Sequence, residues 1–114
     1  MPDSEGHPAV EEMDLRTVLD ALSDHMRYEV ISRLAWEPEG TERHCTSFGL
    51  PVSKSTRSHH FRILREAGLI RQVDRGNSRM AQLRSKDLED RFPGLIELIK
   101  KNPAAPAEVR RATG

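Results

Sequence analysis

The sequence predicts a mostly helical α+β fold with one small β-hairpin, its elements running in the order ααααββα. Three observations predict it. Apolar residues recur at helical spacing before residue 36 and again after residue 85, a run of helix formers between Ser53 and Ala67 is closed by Gly68, and the segment after Gly68 reads as two short strands around a Gly-Asn turn. With 114 residues, 36% hydrophobic and 32% charged, the chain makes one globular domain with a modest core, and two packed domains are excluded. Residues 1–9 and 102–114, rich in Pro, Gly, Ala and charge, are expected to be flexible tails around a folding unit of residues 10–101. A unit of this size buries a small share of its surface, so pairing with a second copy is a natural way to enlarge the core.

Leu15, Val18, Leu19 and Leu22 fall at i, i+3, i+4 and i+7, which makes about Glu11 to Leu22 an amphipathic first helix. Ser23 and Asp24 then offer a stop and a new N-cap. The second helix carries Met26, Val30, Ile31, Leu34 and Ala35 on its apolar side and closes before Glu37-Pro38-Glu39-Gly40. Residues 41–48, with only Cys45 and Phe48 to bury, are expected to form a short third helix ending at Gly49. Ser53 caps the fourth, which runs to Ala67. Phe61 and Leu64 form its core edge, while Lys54, Ser55, Ser58, His59, Arg62 and Arg65 lie mostly on other faces. The hairpin strands are LIRQVDR and RMAQLR, and Arg75 and Arg79 flank the tip. Ser85 is expected to cap a last helix with Leu88, Phe92, Leu95, Ile96 and Ile99 at helical spacing, kinked or broken at Pro93. Leu98 widens that helix's apolar surface. The first and last helices are more apolar than a small core requires, so a dimer seam is expected at Leu15, Val18, Leu19, Phe92, Leu95, Ile96 and Ile99.

The formal net charge is zero, but the charge is unevenly placed. Residues 1–52 hold four Arg and no Lys against eleven acids, a net of −7, whereas residues 53–84 hold eight basic residues against Glu66 and Asp74, a net of +6. The remaining residues contribute +1. A basic block on a neutral chain indicates an anion-binding face, the alternative being a merely solvated one. No run approaches the ~20 apolar residues of a membrane span, the acidic start lacks the features of a secretory signal, and the single Cys45 cannot form an internal disulfide. The cytoplasm is the expected location.

A helix-turn-helix followed at once by a basic hairpin is a winged helix-turn-helix, whose second helix fits the major groove of duplex DNA. The expected groove-facing set is Ser53, Lys54, Ser55, Ser58, His59 and Arg62, with Arg57 a further candidate. Serines and the helix N-terminus suit phosphate oxygens, and Lys54 and Arg62 add charge-assisted contacts. Arg75, Asn77 and Arg79 on the wing are expected along the backbone or in the minor groove. With five aromatic residues in all, the chain lacks stacking platforms for single strands.

The run Ser53-Lys54-Ser55-Thr56-Arg57-Ser58-His59-His60-Phe61-Arg62-Ile63-Leu64-Arg65-Glu66-Ala67-Gly68-Leu69-Ile70 resembles the recognition helix and first wing strand of ArsR-type winged helix-turn-helix repressors. That family's common form is S-x-S-T-x-S-x-H-L-x-x-L-R-x-A-G-L-V. Leu19-Asp20-Ala21-Leu22-Ser23-Asp24-His25-Met26-Arg27 resembles the same family's L-x-x-L-x-D-P-x-R, and the likeness spans roughly residues 12–101. It implies a homodimer paired through its first and last helices, a palindromic operator, and repression until an effector is sensed. No cofactor is expected, and the effector is left open.

Two departures from the family pattern stand out. Arg57 replaces a usual Val or Leu: it either snorkels to a phosphate with its stem on the core or loosens the local packing. The family's metal sites are not intact, since Cys45 stands alone in the third helix with Arg43 two residues before it, and no His follows His60. A nonstandard metal or redox sensor using Cys45 with His44, His59 and His60 is the alternative for sensing, against a buried structural cysteine, a DNA- or solvent-facing His59 and a hydrogen-bonding His60. Enzymatic use of Cys45 lacks a Gly-rich loop, cofactor fingerprint or carboxylate pair. A winged helix that mainly contacts another protein is the remaining rival.

Overall fold

The structure is a computed structural model that describes residues 2–104; residues 105–114, the larger part of the expected C-terminal tail, lie outside the described residues. Among the described residues five α-helices and three strands follow one another as α1 (Leu15–Leu22), α2 (His25–Trp36), β1 (Glu42–His44), α3 (Lys54–Ala67), β2 (Ile70–Arg75), β3 (Ser78–Leu83), α4 (Ser85–Arg91) and α5 (Leu95–Lys101). This is a mostly helical winged helix with a small antiparallel sheet, the fold class the sequence predicts.

Side-chain caps explain the first three helix starts. Asp14 Oδ2 accepts from the Thr17 N–H, the Asp24 carboxylate accepts from Met26 and Arg27, and Ser53 Oγ accepts from Thr56. The first helix begins later than its periodicity implied, because Val10–Glu12 form a separate 3-10 turn. At the far end Pro93 divides the last helical stretch into α4 and α5, as its fixed φ and missing N–H require. Arg84, rather than Ser85, occupies the N-cap of α4, and its side chain makes no capping bond.

Residues 41–48 depart from the expected helix. Glu42, Arg43 and His44 pair with Gln82, Ala81 and Met80, so β1 joins the hairpin as a third strand in the order β1-β3-β2, and only Cys45–Phe48 keep a helical turn, of the 3-10 kind. A strand of three residues carries no periodicity of its own. The outer edge of β3 decides it, by giving this stretch's backbone groups partners that a four-residue turn lacks. The turn is then fixed from α2, where Arg33 Nη1 donates to the Phe48 carbonyl at 3.0 Å, and Arg43 stacks over the Phe48 ring at 4.3 Å.

Val18 and Ala21 of α1, Val30, Ile31 and Leu34 of α2, and Phe61 and Leu64 of α3 form one core with Leu69, Ile70 and Ala81 under the sheet. The residues expected at a dimer seam differ in how far the protomer buries them. Val18 and Ile99 are only 0% and 3% exposed and belong to this protomer core, and Phe92, Leu95 and Ile96 are half-buried against it. Leu15, Leu19 and Leu98 stay exposed. Residues 3–9, expected as a tail, contact the domain: His7 is buried against β2, and the Pro8 carbonyl accepts from Arg84 Nη1 at 2.8 Å.

Candidate nucleic-acid interface

Helix α3 is a 14-residue rod whose Phe61, Leu64 and Ala67 are buried, which turns the opposite face outward along its whole length. Gly68 ends it at φ 91° and sends the chain directly into the wing. The wing turn is two residues, Gly76 and Asn77, between the paired ends Arg75 and Ser78. Among the described residues no non-glycine has positive φ, so Gly76 alone supplies the left-handed position that a tight hairpin of this kind needs.

Between α3 and the wing lies a cleft of about 1280 Å³. Lys54, Ser55, Arg57, Ser58, His59 and Arg62 line one wall, Asn77 and Arg79 the other, so eight of the ten residues expected to bind DNA share one concavity. Ser53 and Arg75 stand outside it. Ser53 is occupied at the helix cap, where its hydroxyl also lies 3.3 Å from Ser55 Oγ and 3.1 Å from Thr56 Oγ1. Arg75 makes a two-pronged ion pair with Glu42 at 3.0 and 2.7 Å, tying the wing to β1. That guanidinium holds the Glu42 carboxyl below the usual carboxylate range.

The cleft is lined by Lys54, Arg57, Arg62, Arg65 and Arg79, and among the described residues no carboxylate lines its walls. Arg57 is half-buried and lines the cleft with them. Arg79 is paired across the hairpin with Asp74 at 3.1 Å, an exposed contact that costs little to exchange for a phosphate. On α3, Arg62 Nη2 donates to His59 Nδ1 at 3.1 Å. Arg65 completes the floor and escaped the expected set, although its place on the Lys54, Ser58, Arg62 stripe at helical spacing carried the signal. Its Nη1 donates to Gln72 Oε1, and Gln72 Nε2 lies 3.8 Å from Cys45 Sγ.

Two residues considered for sensing have other surroundings. Cys45 is buried at the cleft floor, and burial pushes its thiol pKa up despite the opposing Gln72 hydrogen bond, so the thiol form is favoured. His60 faces the helical core: Arg27 Nη1 donates to its Nδ1 at 3.1 Å, Asp24 lies at 4.0 Å, and burial lowers its pKa. Among the described residues no three His, Cys, Asp or Glu side chains are grouped to hold a metal ion. No helix there is long and apolar enough to cross a membrane.

Residues 46–72, from the 3-10 turn through α3 into β2, match the family model described as bacterial regulatory protein, arsR family. The chain is 32% identical over 84 residues to an uncharacterized HTH-type transcriptional regulator, YceK, of Bacillus subtilis (strain 168), an alignment covering 72% of this chain and 82% of that one. Its fold is similar to that of an ArsR-like transcriptional regulator from Rhodococcus sp. RHA1, with a TM-score of 0.55, 24% identity and 87% of each chain covered.

Proposed function

This chain belongs to the ArsR family of bacterial regulatory proteins, and on that premise we propose that it is a dimeric repressor that binds a palindromic duplex operator through α3 and the wing. The carboxylate-free basic cleft is the observation that carries the reading. A helix is the element the major groove admits, and α3 presents its N-terminal Lys54, Ser55 and Ser58 outermost, all exposed. His59 and Arg62 follow on the same face, with Arg57 beside them. Asn77 and Arg79 are then placed for the adjacent backbone or minor groove. Arg75, held by Glu42, and Ser53, held at the cap, act in this reading by fixing the wing and the helix start.

Dimerisation is proposed through the exposed Leu15, Leu19 and Leu98, flanked by the half-buried Phe92, Leu95 and Ile96. A two-fold pair sets two copies of α3 about one helical turn, ~34 Å, apart on one face of DNA, which is why the operator is expected to be palindromic. The site of action is the cytoplasm, where the DNA is.

Fluorescence anisotropy of the full chain with labelled duplex from its own upstream region, against scrambled competitor across a salt series, tests the reading. Binding that resists the competitor and weakens steeply with salt is expected. Binding that scrambled duplex matches at every salt concentration would refute sequence-specific regulation through this region and favour a protein-binding role.

A further inference from the structure

The segment before Val10 makes contacts that the DNA reading leaves unexplained. In the sheet order β1-β3-β2, strand β2 is an edge, and the outward N–H of Gln72 finds its acceptor in His7 Nε2, at 3.0 Å, with the His7 side chain buried. A ring nitrogen that accepts carries no proton, so the proton of the neutral ring sits on Nδ1, where it meets the Asp3 carboxylate at 3.0 Å. Arg84 Nη1 holds the next carbonyl, of Pro8, and Gly6 lies against the guanidinium of Arg65, whose Nε is buried with no hydrogen-bond partner. Gln72 is thus gripped from both sides: its backbone by this segment, its side chain by Arg65 and Cys45 of the cleft floor.

We propose that residues 3–9 form a proton-sensitive strap that braces the cleft floor through Gln72, with His7 as its latch. A second proton converts Nε2 from acceptor to donor, leaving two N–H groups facing each other in a buried contact, and the strap leaves β2. The contact at Nε2 sets the sign, since only an unprotonated nitrogen can accept there. Asp3 attracts the imidazolium, but its carboxylate is tied to the Glu5 and His7 N–H groups, so the pair is local to the strap and is not a contact with β2. Glu5 is likewise on the strap. Arg71 and Asp74 on β2 border the same recess as His7, Arg65 and Glu66 of α3 lie beside Gly6, and Arg84 with its partner Asp87 holds the Pro8 carbonyl, so these groups face the strap only when it is docked. Asp74 is engaged by Arg79, and Asp87 lies 2.9 Å from Arg84 and 4.0 Å from Arg71, so these groups largely neutralise one another and the hydrogen-bond geometry at Nε2 carries the sign. Docking therefore requires neutral His7 and is lost on acidification, freeing the β2 edge and the Gln72 to Arg65 hydrogen bond.

Hydrogen exchange of the Gln72 amide in the full chain, followed by NMR from about pH 8 to about pH 5 and corrected for the intrinsic rate, reads the latch directly. Protection is expected to fall roughly five- to tenfold as the His7 ring titrates, the loss of one hydrogen bond. His7→Gln, which keeps an acceptor near Nε2 but does not titrate, is expected to hold protection level across the range. The wild-type curve decides without any variant: protection that stays constant while the His7 ring resonance titrates overturns the proposal, as does an equal fall in His7→Gln. No DNA enters the measurement, so its failure and that of the DNA reading are distinguishable.

Discussion

Asp24 does two jobs at one point of the chain. Its carboxylate caps α2 through the N–H groups of Met26 and Arg27, and it lies 4.0 Å from His60 Nδ1, on the inner side of α3. Partial burial alone raises its pKa, but the Arg27 N–H, together with the charges of His60 and Arg27, outweighs burial and leaves it below its ordinary 3.8. A folded pKa below the unfolded one contributes stability above about pH 4 that is lost as pH falls through the lowered value. Asp24→Ala is accordingly expected to cost about 0.5–2 kcal/mol at neutral pH, and the difference from wild type should shrink toward acid, as thermal denaturation at several pH values will show. At the cleft, Arg79→Ala removes a charge whose present partner is the exposed Asp74, so the fold is expected to keep its stability. Its DNA affinity should fall by similar factors on specific and scrambled duplexes, with the salt slope reduced by about 0.9 for the one phosphate no longer neutralised. An effect confined to one base position in a competition series would contradict the backbone role.

Among the elements, the junction between α3 and the wing is the least forgiving. Gly68 sits at φ 91°, and a Cβ there would lie 2.8 Å from Met13 Cε and 2.9 Å from Met13 Cγ, inside a side chain that is itself buried. Gly68→Ala is expected to destabilise by about 1–3 kcal/mol in chemical denaturation, from left-handed strain plus displacement of Met13. The same geometry directs the wing back beside α3, so the cleft depends on it. Strand β1 shows the opposite case. Residues 42–44 take their conformation from β3 rather than from their own propensity, while Ser53 to Ala67, with cap, helix formers and glycine stop, announces itself. A long amphipathic element repeats its signal every turn; a three-residue strand has no room to do so.

For the whole molecule, the periodicity of the first and last helices identified apolar faces without separating those used inside the protomer from those left over. Folding consumes Val18 and Ile99, and exposes Leu98 at 59% and Leu19 at 51%. Leu98→Glu is expected to leave the melting temperature of the isolated protomer close to wild type and to weaken self-association at least about tenfold by analytical ultracentrifugation, the cost of burying a charge in an apolar interface. A dimer unaffected by this change would place the seam elsewhere. Trp36, 63% exposed with Lys100 Nζ 5.0 Å from its ring centroid, lies on α2 and is a natural fluorescence reporter of the contact between α2 and α5.

The helical framework, the hairpin with its Gly-Asn turn, the break at Pro93 and the stretch of chain that holds the basic block were all legible in the amino-acid order, because each is written in local chemistry: caps, periodicity, backbone restriction and charge. Contacts between residues distant in the chain came from three-dimensional packing. Pairing with β3 made residues 42–44 a strand, packing divided Leu15 from Val18 and Leu98 from Ile99, and the wing's approach to α3 gathered Arg57, Arg65 and Arg79 into one cleft. The docking of His7 on Gln72, 65 residues away, is the extreme case. A buried edge N–H must find an acceptor, and only the folded chain determines which one is near.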